Sequence, residues 1–215
     1  MKLKNYEIKG IVFDLNGTLV YTNSKHRYTI MRKTLEGIGA SYVGNDLTDL
    51  FWFKGDRDKI VLEDFCVDPI KFWSEFDKWD TAEMRGKFTK PYLDVGAINE
   101  LRKGGIRTGI LTGAPEEIKD MEINLTNQIF EASISAYNRN GIKEKPNPQG
   151  LLLCLELMNV DVRYAAIVGN GIEDIIVGRE TGVIDILVDR GDNIPMDIKP
   201  SYTINSLYDL IKLDD

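Results

Sequence analysis

Apolar residues along the chain fall in short unbroken runs separated by polar turns. The first, within residues 8–14 (IKGIVFD), holds Ile11, Val12 and Phe13 in succession and closes on Asp14. A continuous run of this length, beside Gly10, predicts a strand buried on both faces. Similar runs occupy 106–113 (IRTGILTG), 164–171 (YAAIVGNG) and 184–189 (IDILVD), with a fifth at 130–135 (FEASIS). Between them the apolar spacing changes to that of helices. Residues 94–103 stop at Gly104-Gly105, and Pro115 with Glu116 and Glu117 opens a second helix, where the helix dipole favours acids. Residues 148–159 and 172–182 supply two more, the latter ending at Gly182. Strand–helix alternation from residue 94 onward predicts an α/β fold with a doubly wound parallel sheet. We expect the flavodoxin-like strand order with Asp14 on the central strand. Ligands of such sheets bind beyond the carboxyl ends of the strands, where Asp14, Thr112 and Gly169-Asn170 fall.

Residues 20 to about 90 break this rhythm. They carry no convincing strand run, yet hold Trp52, Trp73, Trp79 and six of the eight phenylalanines (Phe51, Phe53, Phe65, Phe72, Phe76 and Phe88). Asp68 before Pro69 is an N-cap followed by proline in the first turn, and Phe72, Phe76 and Trp79 then share one helix face. The expected organisation is an α/β core of residues 1–20 and 90–215, with a small all-α domain of residues 21–89 inserted after the first strand.

Composition narrows the function. With 43% hydrophobic and 28% charged residues the chain reads as an ordinary globular protein. A net charge of −7, without a concentrated basic face, argues against nucleic acid or an anionic membrane as partner. Two distant cysteines, Cys66 and Cys154, do not make a disulfide framework, and the N-terminus lacks a signal-peptide core. No apolar stretch is long enough to span a bilayer. A cytoplasmic location is expected. His26 is the single histidine, so a histidine metal site or a Ser/His triad lacks parts.

Four stretches carry chemistry in a fixed order. FDLNGTL presents Asp14, with Asn16 two residues on and Gly17 allowing a sharp turn. GILTG puts Thr112 and Gly113 at the end of the second strand run; KEKPNP puts Lys145 before Pro146; IVGNGIEDI puts Asn170 and Asp174 four apart. This arrangement resembles the haloacid dehalogenase (HAD) superfamily, in its phosphoglycolate phosphatase-like and beta-phosphoglucomutase-like branch. The likeness spans about residues 8–190 and implies a Rossmann-like core with a helical cap. It implies phosphoryl transfer through an aspartyl intermediate on Asp14, with Thr112 and Gly113 holding phosphoryl oxygens. Lys145, rather than Lys143, would offset charge. Mg²⁺ would be bound by Asp14, the backbone carbonyl of Asn16, Asn170 and Asp174. The expected substrate is a small phosphorylated metabolite, and the expected assembly a monomer or homodimer. Arg27, Lys54 and Arg57 are the cap-side cations expected to meet the rest of the substrate.

Two positions depart from the pattern. Phosphatases of this superfamily usually carry Asp where Asn16 stands, as general acid and then base, and an acid where Asn170 stands. An amide trades no proton near neutral pH, and that help is worth about 10²–10⁴-fold, or roughly 3–5 kcal/mol. A weakly basic leaving group would feel the loss least. Alternatives are a metal-independent 2-haloacid dehalogenase, which needs no proton donor at position 16, and an impaired relative that binds a phosphorylated ligand or a partner without turnover.

Overall fold

The computed structural model describes residues 2–3, 6–53, 57–137, 141–191 and 197–212. The chain divides into two compact units, one of residues 1–21 and 90–215, the other of residues 22–89.

The first unit opens with a ribbon of β1 (Lys2–Leu3) and β2 (Tyr6–Glu7), followed by β3 (Gly10–Phe13), every residue of which is buried. Next comes β4 (Val20–Thr22), where the chain passes to the second unit. That unit consists of α1 (Ser24–Gly37), α2 (Asn45–Phe53), α3 (Arg57–Lys59), a π-helical turn at Ile60–Asp64, α4 (Pro69–Trp79) and α5 (Ala82–Gly86). Asp68 caps α4 by accepting the Lys71 amide, with Pro69 in the first turn. The face it buries carries Phe72 and Phe76, which pack with Phe51, Phe65, Ile30, Met31 and Leu35. Ring centroids of Phe51 and Phe72 lie 5.4 Å apart in an edge arrangement that aromatic quadrupoles favour.

The chain returns through β5 (Thr89–Pro91), which pairs with β4. Alternation then follows: α6 (Ala97–Lys103), β6 (Arg107–Thr112), α7 (Glu116–Thr126), β7 (Ala132–Ser135), α8 (Gln149–Leu157), β8 (Ala165–Gly169), α9 (Ile172–Thr181), β9 (Ile184–Val188), β10 (Tyr202–Ile204) and α10 (Asp209–Lys212). Six strands form one sheet in the order β10-β9-β8-β3-β6-β7, with the described pairings parallel. Its two faces follow from alternation along β3. Ile11 and Phe13 enter a cluster with Ile98, Leu101, Ile110 and Val168, whereas Val12 joins Leu111, Leu151, Cys154 and Val177. Both faces are therefore covered by helices, as a parallel sheet requires.

The strand order corrects the flavodoxin-like expectation. Counted along the chain, the six strands run 3-2-1-4-5-6, the dinucleotide-fold order. Two successive crossovers step outward from β3 before the chain returns to its other side, so the order reverses between β3 and β8. Hydrophobic runs define strands but not which edge each one joins. Strand β10 was also absent from the expected set; it is a three-residue edge strand in which only Ile204 is buried. Cys66 and Cys154 are both free. Among the described residues no helix is long and apolar enough to cross a membrane.

Candidate active site

The point of strand reversal places Asp14 directly after β3. Phe13 lies level with Ile110 on one side and Val168 on the other, and the Asp14 amide still donates to the Val168 carbonyl at 2.8 Å. Asp14 is thus fixed by the sheet ladder while its side chain leaves the carboxyl end of the strand. Gly17 turns the chain with φ +85°, and a Cβ there would run into the Asn170 amide. Its N–H donates to the Val20 carbonyl at 2.7 Å, closing the turn.

Lys145 reaches this point from the stretch before α8. Its Nζ donates to Asp14 Oδ1 at 2.7 Å and to Asp174 Oδ1 at 2.6 Å. Asp174 stands in the first turn of α9, where its other oxygen accepts the Gly171 N–H at 3.0 Å. Thr18 donates to Asp14 Oδ2 at 3.0 Å, and its hydroxyl lies 3.4 Å from Asn170 Oδ1. Thr112 ends β6, the strand beside β3, and its Oγ1 accepts the Ala114 amide at 3.2 Å. Gly113 follows it, half-buried.

Burial removes Asp14 from water and raises its pKa; Lys145 lowers it and Asp174 raises it again, leaving the carboxyl at about 6 against an ordinary 3.8. Burial also opposes the charge on Lys145, but the two carboxylates outweigh it and hold the ammonium protonated well above its ordinary range. Two buried carboxylates therefore share one ammonium. A divalent cation suits that excess of negative charge. The side-chain oxygens gathered here are those of Asp14, Asp174 and the Asn170 amide, hard donors of the kind Mg²⁺ takes with a phosphate. Among the described residues no group of three or more His, Cys, Asp or Glu is gathered for a metal.

Of the residues expected from sequence, Asp14, Lys145, Asn170 and Asp174 are joined in one hydrogen-bonded cluster, and Thr112 ends the adjacent strand. Lys143, the alternative to Lys145, is exposed. Arg27 pairs with Asp49 at 2.5 Å and packs over Phe53, while Arg57 lies over Phe51, both inside the helical unit. Lys54 lies outside the described residues. Two contributors went unforeseen. Thr18 stands in the same loop as Asp14, and a buried hydroxyl four residues after a buried carboxylate is a legible hint. Glu122 on α7 is fully buried, and its Oε1 accepts Asn16 Nδ2 at 2.9 Å. Its clue is position: it follows Ile118 by four residues, in register with the buried face.

Comparison with known proteins fits this geometry. Residues 8–182 match the family model for haloacid dehalogenase-like hydrolases. The chain belongs to that family. Among relatives of this HAD-like hydrolase is pyrophosphatase PpaX of Bacillus mycoides, 24% identical, with 96% of this chain and 97% of the relative covered. Phosphoglycolate phosphatase of Aquifex aeolicus is 25% identical, with 97% of each covered. The crystal structure of a HAD phosphatase from Thermococcus onnurineus superimposes with a TM-score of 0.70 at 21% identity, covering 96% of this chain and 97% of that one; at such identity the likeness concerns the fold.

Proposed function

We propose that this HAD-like hydrolase is a phosphatase acting on a small phosphorylated metabolite whose leaving group is weakly basic, a phosphoanhydride above all. The observation that carries the reading is the cluster of Asp14, Lys145, Asp174 and Thr18, with an amide at position 16. Asp14 attacks the phosphorus in line, the bond to the leaving oxygen breaks, and water later opens the aspartyl phosphate to free the carboxylate and inorganic phosphate. Lys145 balances the charge brought together by carboxylate and phosphoryl group. The Thr112 hydroxyl and neighbouring amides supply donors for the non-bridging oxygens. Thr18 holds Asp14 Oδ2, which leaves one carboxylate oxygen tied to the turn and the other to Lys145. Bound through Asp14, Asp174, Asn170 and the Asn16 carbonyl, Mg²⁺ would neutralise phosphoryl charge.

Asn16 decides the substrate class. It offers hydrogen bonds to the leaving oxygen but no proton, so alkoxide leaving groups suffer and phosphate, already weakly basic, does not. Relatives named pyrophosphatase agree with that preference. The relatives' names favour phosphoryl over halide chemistry. For the helical unit, a role in discriminating substrates is part of the same proposal.

Phosphate release from p-nitrophenyl phosphate, inorganic pyrophosphate and 2-phosphoglycolate, with Mg²⁺, tests the reading. We expect the first two to exceed the third by about tenfold or more in kcat/KM, and Asp14→Asn to abolish release. Equal release by the variant rejects the nucleophile. Preference for 2-phosphoglycolate rejects the leaving-group argument, and chloride release from 2-chloropropionate without metal would reassign the chemistry.

A further inference from the structure

We infer that Glu122 is a positioning residue that fixes the amide of Asn16 in the loop that follows the nucleophile, and that the two side chains act as one unit. The inference rests on the proposed function for its catalytic consequence, though its geometry stands apart from it. Helix α7 starts four residues after Thr112, so the element that follows one strand end also delivers Glu122 to the loop that follows another. Glutamate is rarely found fully buried without a partner, and an apolar side chain would fill the Ile118–Glu122–Thr126 stripe without any polar requirement. One contact of this buried side chain spans 106 positions of sequence: Asn16 Nδ2 donates to Glu122 Oε1 at 2.9 Å.

A carboxylate accepts only, whereas an amide has a donating end and an accepting end. Glu122 therefore selects the NH₂ end of Asn16 and sends Oδ1 the other way. Turning the amide over would set oxygen against oxygen. A carboxyl at position 16 would bring two acids to hydrogen-bond distance in a buried place, where one of them would have to hold a proton. Glu122 thus gives a physical reason for the amide: the chain keeps its carboxylate on the helix and the amide in the loop. With one N–H held by Glu122, the amide presents its second N–H and its Oδ1 in a fixed sense two residues from Asp14, and so can orient the leaving oxygen or the attacking water, which acts on the chemical steps more than on substrate binding.

Two readouts test this on the full-length protein. The side-chain ¹⁵N–¹H signals of Asn16, assigned by their loss in Asn16→Asp, should exchange with solvent about tenfold faster in Glu122→Leu. Glu122→Gln, whose Oε1 still accepts, should stay near the wild type. With p-nitrophenyl phosphate, Glu122→Leu should lower kcat about tenfold with KM within about twofold, and Glu122→Gln should recover most of the loss. The exchanged pair Asn16→Asp/Glu122→Gln should exceed Asn16→Asp alone in kcat, a comparison that stands even if Glu122→Leu fails to fold. Unchanged amide exchange in Glu122→Leu overturns the inference, as does a kcat indifferent to every substitution at 122 in an enzyme that depends on Asp14. If Asn16 exchange responds to Glu122 while no phosphate release depends on Asp14, the positioning holds and the proposed function is what fails.

Discussion

At residue scale, Asp14 is buried with less positive charge around it than its neighbourhood of carboxylates demands. Its carboxyl, at about 6, holds a proton more firmly in the folded chain than in the unfolded one. A raised pKa of this kind favours the fold below the unfolded value, near 4, and that advantage is lost as pH rises through about 6. Relative to Asp14→Asn, the wild type should therefore be at a disadvantage of about 2–3 kcal/mol at pH 8 in chelator, shrinking towards zero by pH 4. Urea titrations of both proteins at the two pH values measure it; a variant less stable at pH 8 would contradict it. Lys145 stays paired with Asp174 when Asp14 is neutralised, so the substitution leaves no isolated ammonium. Asp14, Thr112 and Asp174 were legible because each ends an apolar run or opens a helix, and Lys145 because it precedes the Pro-Asn-Pro stretch. Glu122 was legible only as an acid in register with a buried helix face, since its meaning lies in a contact across 106 positions that no local spacing contains.

At the scale of elements, the helical unit is joined by a buried polar cluster as well as by aromatic rings. Asp80, just past α4, receives Arg85 from α5 through both carboxylate oxygens and lies 2.9 Å from His26 Nε2 on α1. Burial works against the Asp80 charge, yet Arg85 and His26 overcome it and hold the carboxyl down at about 2. Asp80→Ala removes the carboxylate that Arg85 meets through two hydrogen bonds in the interior, for which we expect a loss of about 3–5 kcal/mol, read as a lower urea midpoint. Loss of less than about 1 kcal/mol would show the cluster to be dispensable. Element identity came through well from the pattern: β3, β6, β8 and β9 fall inside their apolar runs, and α4 begins where Asp68 and Pro69 direct. Strand order did not, because crossovers choose an edge by tertiary packing, and β10 was too short to stand out.

At the scale of the whole molecule, the two units carry different chromophores. Trp52, Trp73 and Trp79, the only tryptophans, all lie in residues 22–89. Their fluorescence reports on the helical unit, while far-UV ellipticity reports on both. In Phe72→Ala, which removes a fully buried ring at a cost of about 3–5 kcal/mol, the fluorescence midpoint in urea should fall further than the ellipticity midpoint. Coincident midpoints would mean that the two units unfold as one. The loop amides bear on how long the molecule keeps its composition. Asn16 and Asn170 each precede glycine, the sequence most prone to spontaneous conversion into aspartate through a cyclic imide, which forms when the following backbone nitrogen attacks the side chain. Both of those nitrogens are engaged, Gly17 with the Val20 carbonyl and Gly171 with Asp174. Folding thereby shelters the two amides from ageing, and it is the unfolded or damaged copy, rather than the native one, that would slowly acquire acids at these places.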